Sequence, residues 1–112
     1  MPLKSRTMTQ PILIEENHQT IIRSILQAYI RDNLVWIYGS RLKGNPKPHS
    51  DVDLVIVDPP HVSEETLSQI KLSLEESDLP YRVDVSLWSQ LSAQFKQLVE
   101  EKHHVFFLPH TK

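Results

Sequence analysis

Four residues carry the chemistry that this sequence offers most plainly: Gly39, Ser40, Asp51 and Asp53. Asp51 and Asp53 are one residue apart at the head of an apolar run, Val52 to Val57. In a strand, side chains alternate with period two, so both carboxylates point to one face. Two carboxylates on one face repel unless a cation sits between them. Gly39 and Ser40 close an earlier apolar run, Leu34 to Tyr38. A glycine lets the backbone approach a ligand, and successive N–H groups with a serine hydroxyl can receive phosphate oxygens. Arg41, Lys43 and Lys47 follow, in a stretch with no acidic residue between Asp32 and Asp51. The pattern reads as a metal-dependent nucleotide site.

Mg²⁺ takes oxygen ligands and is held by one or two carboxylates plus substrate phosphates. Asp51 and Asp53 supply that minimum, and Asp84 is the candidate third carboxylate. It sits inside Tyr81-Arg82-Val83-Asp84-Val85-Ser86, where a lone aspartate in a buried strand is costly without a partner. With a third carboxylate, two ions roughly 3.5–4 Å apart could stabilise an in-line displacement. The third carboxylate could also accept the proton of an attacking hydroxyl. Each part taken alone has a plainer reading: an ordinary turn, a solvated or calcium-binding Asp-x-Asp, an Asp84–Arg82 pair, solvated Arg41 and Lys43. Their combination in this order favours the nucleotide site.

The elements that must position these groups follow from periodicity. Ile21, Ile22, Ile25, Leu26, Tyr29 and Ile30 recur at helical spacing and predict a helix over about residues 16 to 32. Leu34 to Tyr38 and Val52 to Val57 predict buried strands, the second stopped by Asp58-Pro59-Pro60. Ser63 is placed to cap a second helix, with Glu64 and Glu65 in its first turn and Leu67, Ile70 and Leu74 on its apolar side. Tyr81 to Leu87 alternates as a third strand. Ser89 is expected to cap a third helix carrying Leu91, Phe95, Leu98 and Val99, and His104 to Leu108 is a further strand or docking segment. Helices and strands alternating in this way predict an α/β (α+β) fold, a small sheet with helices packed on it. The long link between the first two strands is of the kind that carries function.

Composition sets outer bounds. A chain of 112 residues is expected to form one domain, taken as 16–108, after a polar leader at 1–15 and before a short tail at 109–112. A net charge of −2 gives no general nucleic-acid footprint, and no apolar run reaches the roughly 20 residues of a membrane helix. There is no cysteine, which fits a reducing cytoplasm and excludes thiolate chemistry. The six histidines show no zinc-site spacing, and Trp36 and Trp88 read as packing residues.

Gly39-Ser40, ten intervening residues and Asp51-Val52-Asp53 closely resemble the signature of the DNA polymerase β-like nucleotidyltransferase superfamily. The short chain and the segment around it resemble the minimal nucleotidyltransferases, often called MNT antitoxins. The resemblance implies a mixed α/β sheet, Mg²⁺ and a nucleoside triphosphate, usually ATP. It implies that Gly39 and Ser40 hold the triphosphate with Arg41 and Lys43 nearby. Asp51 and Asp53 would bind metal, and Asp84 would complete the site and act as base. It also implies a partner, a HEPN-domain ribonuclease toxin silenced by AMP transferred to its tyrosine. Two other readings stand beside it: a non-catalytic antitoxin that binds and blocks its partner, and a nucleotide-sugar glycosyltransferase. The last leaves Gly39-Ser40 unexplained and needs a longer chain.

Overall fold

Period-two strands and 3.6-period helices of this sequence assemble, in the computed structural model, into one sheet with helices on it. The structure describes residues 14–39, 51–58 and 60–108. In chain order the elements are α1 (Glu16–Tyr29), β1 (Leu34–Tyr38), β2 (Val52–Val57), α2 (Glu64–Glu75), β3 (Val83–Leu87), a single 3-10 turn (Trp88–Gln90), α3 (Ala93–Glu101) and β4 (His104–Phe107). The strands lie in the order β3-β2-β1-β4. β1 runs antiparallel to both β2 and β4, whereas β2 and β3 are parallel, joined through α2. The sheet is therefore mixed, as expected.

One face of the sheet makes the main core. Val35, Ile37, Leu54, Ile56 and Val85 pack there against Ile22 and Leu26 of α1 and Leu67, Ile70 and Leu74 of α2. Burying apolar area at about 25 cal/mol per Å² makes this layer the chief source of stability. Tyr29 and Ser73 join the two helices through a 3.1 Å hydroxyl–hydroxyl hydrogen bond. Ile14, in the leader by sequence, is also buried in this core.

Local chemistry sets most boundaries. α1 stops at Tyr29, short of residue 32, because Ile30 turns extended (φ −132°, ψ 149°) and is buried. Buried Asn33 then ties the chain down, its side-chain amide donating to the carbonyls of Val57 (3.1 Å) and Pro60 (2.8 Å). α2 starts as expected, with the Ser63 hydroxyl accepting from the Thr66 N–H at 3.0 Å. β3 begins at Val83 rather than Tyr81. The third helix is capped by Ser92, which accepts from the Phe95 N–H at 3.1 Å, not by Ser89. Ser89 lies in the 3-10 turn and gives its N–H (2.9 Å) and hydroxyl (2.7 Å) to the buried carboxylate of Asp58. Asp58 does more than mark a strand end: it fixes the turn that leads into α3. The terminal segment is β4, an edge strand beside β1, held by Arg23, whose Nε donates to the Phe106 carbonyl at 3.1 Å and whose guanidinium lies 4.6 Å from that ring. Among the described residues no helix is long and apolar enough to cross a membrane.

The opposite face carries an aromatic group and α3. Trp36 meets Trp88 edge-on at 5.4 Å and stacks on His103 at 4.0 Å. The His103 Nδ1–H donates to the Val99 carbonyl at 2.8 Å, which ties the end of α3 to this stack. Both tryptophans are packing residues, as the sequence suggested.

Candidate active site

Register builds the site. Tyr38 on β1 pairs with Asp53 on β2, and Asp53 pairs with Asp84 on β3. Directly paired residues share a face, so the three side chains form one row across three strands. Asp51 comes one alternation before Asp53, puts a second carboxylate at that end of β2 and is exposed. Val52 and Leu54, between and after them, go to the core on the other face. Thus the alternation that buries β2 also presents its carboxylates.

The row concentrates negative charge. The Asp53 carboxyl is pushed above its ordinary value, first by burial and then by the charges of Asp84 and Asp51. The Tyr38 phenol is pushed up to about 12 by burial and by the charges of Asp53 and Asp84. Asp84 differs from the expectation: it is exposed on an edge strand, so it carries no burial cost. It also forms no ion pair with Arg82 among the described residues. Its charge is felt instead by Asp53 and Tyr38.

Gly39 completes the corner, and only glycine fits there. Its φ is +90°, in the left-handed region that side chains disfavour. A Cβ at this position would lie 2.5 Å from the Asp53 Oδ2. The glycine that lets the chain approach a ligand is thus also what lets it pass the carboxylate. Ser40, Arg41 and Lys43 lie outside the described residues.

The donor set suits a hard divalent cation, because it is made of carboxylate oxygens that repel one another at a half-buried position. Among the described residues no three carboxylate or imidazole groups form a ready metal cage.

A cleft of about 560 Å³ opens on the row, lined by Tyr38, Gly39, Asp53 and Asp84 on one side and by Phe95, Leu98, Val99, Glu101 and Lys102 on the other. Sequence reasoning missed the second side. Phe95 and Leu98 have core-like spacing, yet of the α3 residues only Val99 is buried, and Leu98 is 62% exposed. Tyr38 was also missed as a site residue; its signal was its place directly before Gly39. Phe95 holds the Tyr38 ring edge-on at 5.6 Å.

The chain is similar to known proteins in sequence and in fold. Residues 18–107 match the family model of the nucleotidyltransferase domain. The chain is similar to the probable protein adenylyltransferase MntA of Haemophilus influenzae, 35% identical over 92 residues, which covers 82% of this chain and 81% of that relative. In fold it is similar to a chain of a toxin–antitoxin crystal structure with AMP-PNP, with a TM-score of 0.67 and 20% identity over 80% of this chain and 73% of that one. The family match over most of the chain and the identity to the Haemophilus protein place this chain in the minimal nucleotidyltransferase family of the DNA polymerase β-like superfamily, and it is a nucleotidyltransferase.

Proposed function

We propose that this nucleotidyltransferase moves AMP from ATP to a tyrosine hydroxyl of a HEPN-type ribonuclease toxin, and so acts as its antitoxin in the cytoplasm. The observation that carries the reading is the row of Asp53 and Asp84, in register, beside the left-handed Gly39. The name of the Haemophilus relative, a probable protein adenylyltransferase, supports the reaction class. The toxin–antitoxin neighbour with AMP-PNP supports a toxin partner and an adenine nucleotide.

Asp51 and Asp53 are the residues that would hold Mg²⁺, with Asp84 beside them. The ion, when bound, would offset the charge of the phosphates. Gly39 would let the backbone donate to a phosphate oxygen, and Ser40, Arg41 and Lys43, next in the sequence, are the residues that would complete the phosphate site. Asp84, exposed at the edge of the sheet, takes the proton of the incoming hydroxyl. The acceptor oxygen bonds to the α-phosphorus, the bond to the bridging oxygen breaks, and pyrophosphate leaves. Tyr38 stays protonated and keeps a further negative charge out of the row.

The test is to incubate the full chain with its partner, ATP and Mg²⁺, and to weigh the partner's tyrosine peptides by mass spectrometry. The expected result is one added AMP, absent with Asp84→Asn although the partner still binds. Binding and protection without added mass, with ATP and metal both bound, would replace this reading with a blocking antitoxin.

A further inference from the structure

α3 presents an unusual surface to the active-site cleft. Phe95, Leu98 and Val99 follow the spacing i, i+3, i+4, which is one stripe of the helix, and they line the cleft together with Lys102 just past its end. Val99 is buried, but Phe95 is 36% exposed and Leu98 is 62% exposed. An apolar wall left in water normally marks a surface that something covers. Here Phe95 and Leu98 stand across the cleft from the carboxylates Asp53 and Asp84, and the charged pair Glu101 and Lys102 follows them along the chain, so the cleft sets an apolar patch against an anionic side. The cleft's volume of about 560 Å³ is in the range of small-molecule sites.

We propose that Phe95 and Leu98 form the nucleobase wall of the site: the base of the triphosphate lies against them while its phosphates lie at the Gly39–Asp53 side. This rests on the nucleotide reading above and adds to it the residues that contact the base. A nucleoside triphosphate is one molecule with a flat, weakly polar end and a charged end that travels with a cation. It matches both sides of the cleft at once. An aromatic acceptor side chain matches only the apolar side. Phe95 is held edge-on by Tyr38, and α3 is fixed at one end by the Ser92 cap and at the other by the His103–Val99 bond. The wall is therefore set before a ligand arrives, which lowers the ordering cost of binding.

The wall predicts a dependence on the base and not on the phosphates. The probes are ATP and inorganic tripolyphosphate, each titrated calorimetrically with Mg²⁺ against the full chain. Leu98→Ala is the cleaner variant, because Leu98 is largely exposed and lies outside the core. It should weaken ATP binding by roughly three- to tenfold, the scale of one or two methylenes no longer withdrawn from water. Phe95→Ala should weaken ATP by about tenfold, as loss of an aromatic contact to a base does. Tripolyphosphate should bind both variants as it binds the parent, and Leu98→Met should restore ATP affinity. A parallel fall for both probes would overturn the proposal, since the change would then be one of cleft shape. Unchanged ATP affinity would also overturn it, and slower transfer at saturating ATP would then assign the wall to the acceptor. A parent chain that binds neither probe would instead overturn the nucleotide reading itself, and the wall with it.

Discussion

At the scale of single residues, the site is a place where the fold accepts unfavourable local terms. Gly39 is the sharpest case. Gly39→Ala would force a side chain into φ +90° and against the Asp53 carboxylate. We expect a loss of about 1–3 kcal/mol of stability from the backbone alone, read by denaturant unfolding, together with loss of ATP binding. Asp53 is the opposite case. Its carboxyl is held above the ordinary value, so the folded state binds a proton more tightly than the unfolded chain does. Stability therefore falls as pH rises from the unfolded carboxylate value through the raised one, and the penalty persists above it. Asp53→Asn should raise the melting temperature of the ligand-free chain at neutral pH and flatten this acid-side slope, while transfer is abolished. A melting series across the carboxylate range, with and without the substitution, checks both points.

At the scale of elements, the cap of α3 is Ser92, while Ser89, whose position suggested the cap, binds Asp58. Ser92 is a helix cap, so Ser92→Ala should cost about 1 kcal/mol. Ser89 is the hydrogen-bond partner of a buried carboxylate, so Ser89→Ala leaves the Asp58 Oδ2 without its hydroxyl donor. That loss is worth about 1–3 kcal/mol and should exceed the effect at Ser92. Urea unfolding of the two variants gives the order. The reason Ser89 was read as the cap is that a capping serine and a serine bound to a distant carboxylate look alike in sequence. Asp58 lies 31 residues away, and nothing local announces it. The same holds for α3, whose apolar spacing was legible while the exposure of Phe95 and Leu98 was not.

At the scale of the whole molecule, the strand order brings β1, β2 and β3 side by side, and the site exists only in that assembly. Ligands that need all three strands should stabilise the whole chain. ATP with Mg²⁺ at about a hundred times the dissociation constant should add about 2.7 kcal/mol, and a chelator should remove most of this gain. ATP without a divalent cation should shift the melting temperature little, because the carboxylates and phosphates repel. Differential scanning fluorimetry with ATP, ATP plus Mg²⁺, and added chelator separates these cases.

The sequence by itself determined the chemistry and the local elements. Gly39, Asp51 and Asp53 declare themselves by type and spacing, and β1 and β2 were delimited by short apolar runs whose ends are marked by glycine, aspartate and proline. The Ser63 cap was also legible, because a cap is a contact over three residues. Only the tertiary structure decided that Tyr38, Asp53 and Asp84 form a row, since strand register is set by the pairing of segments far apart in the chain. It decided that Asp84 is exposed, because an edge position depends on which strands lie beside it. It decided that the outer side of α3 faces the carboxylates, because burial of a helical stripe is fixed by what packs opposite, and here a cleft stands opposite.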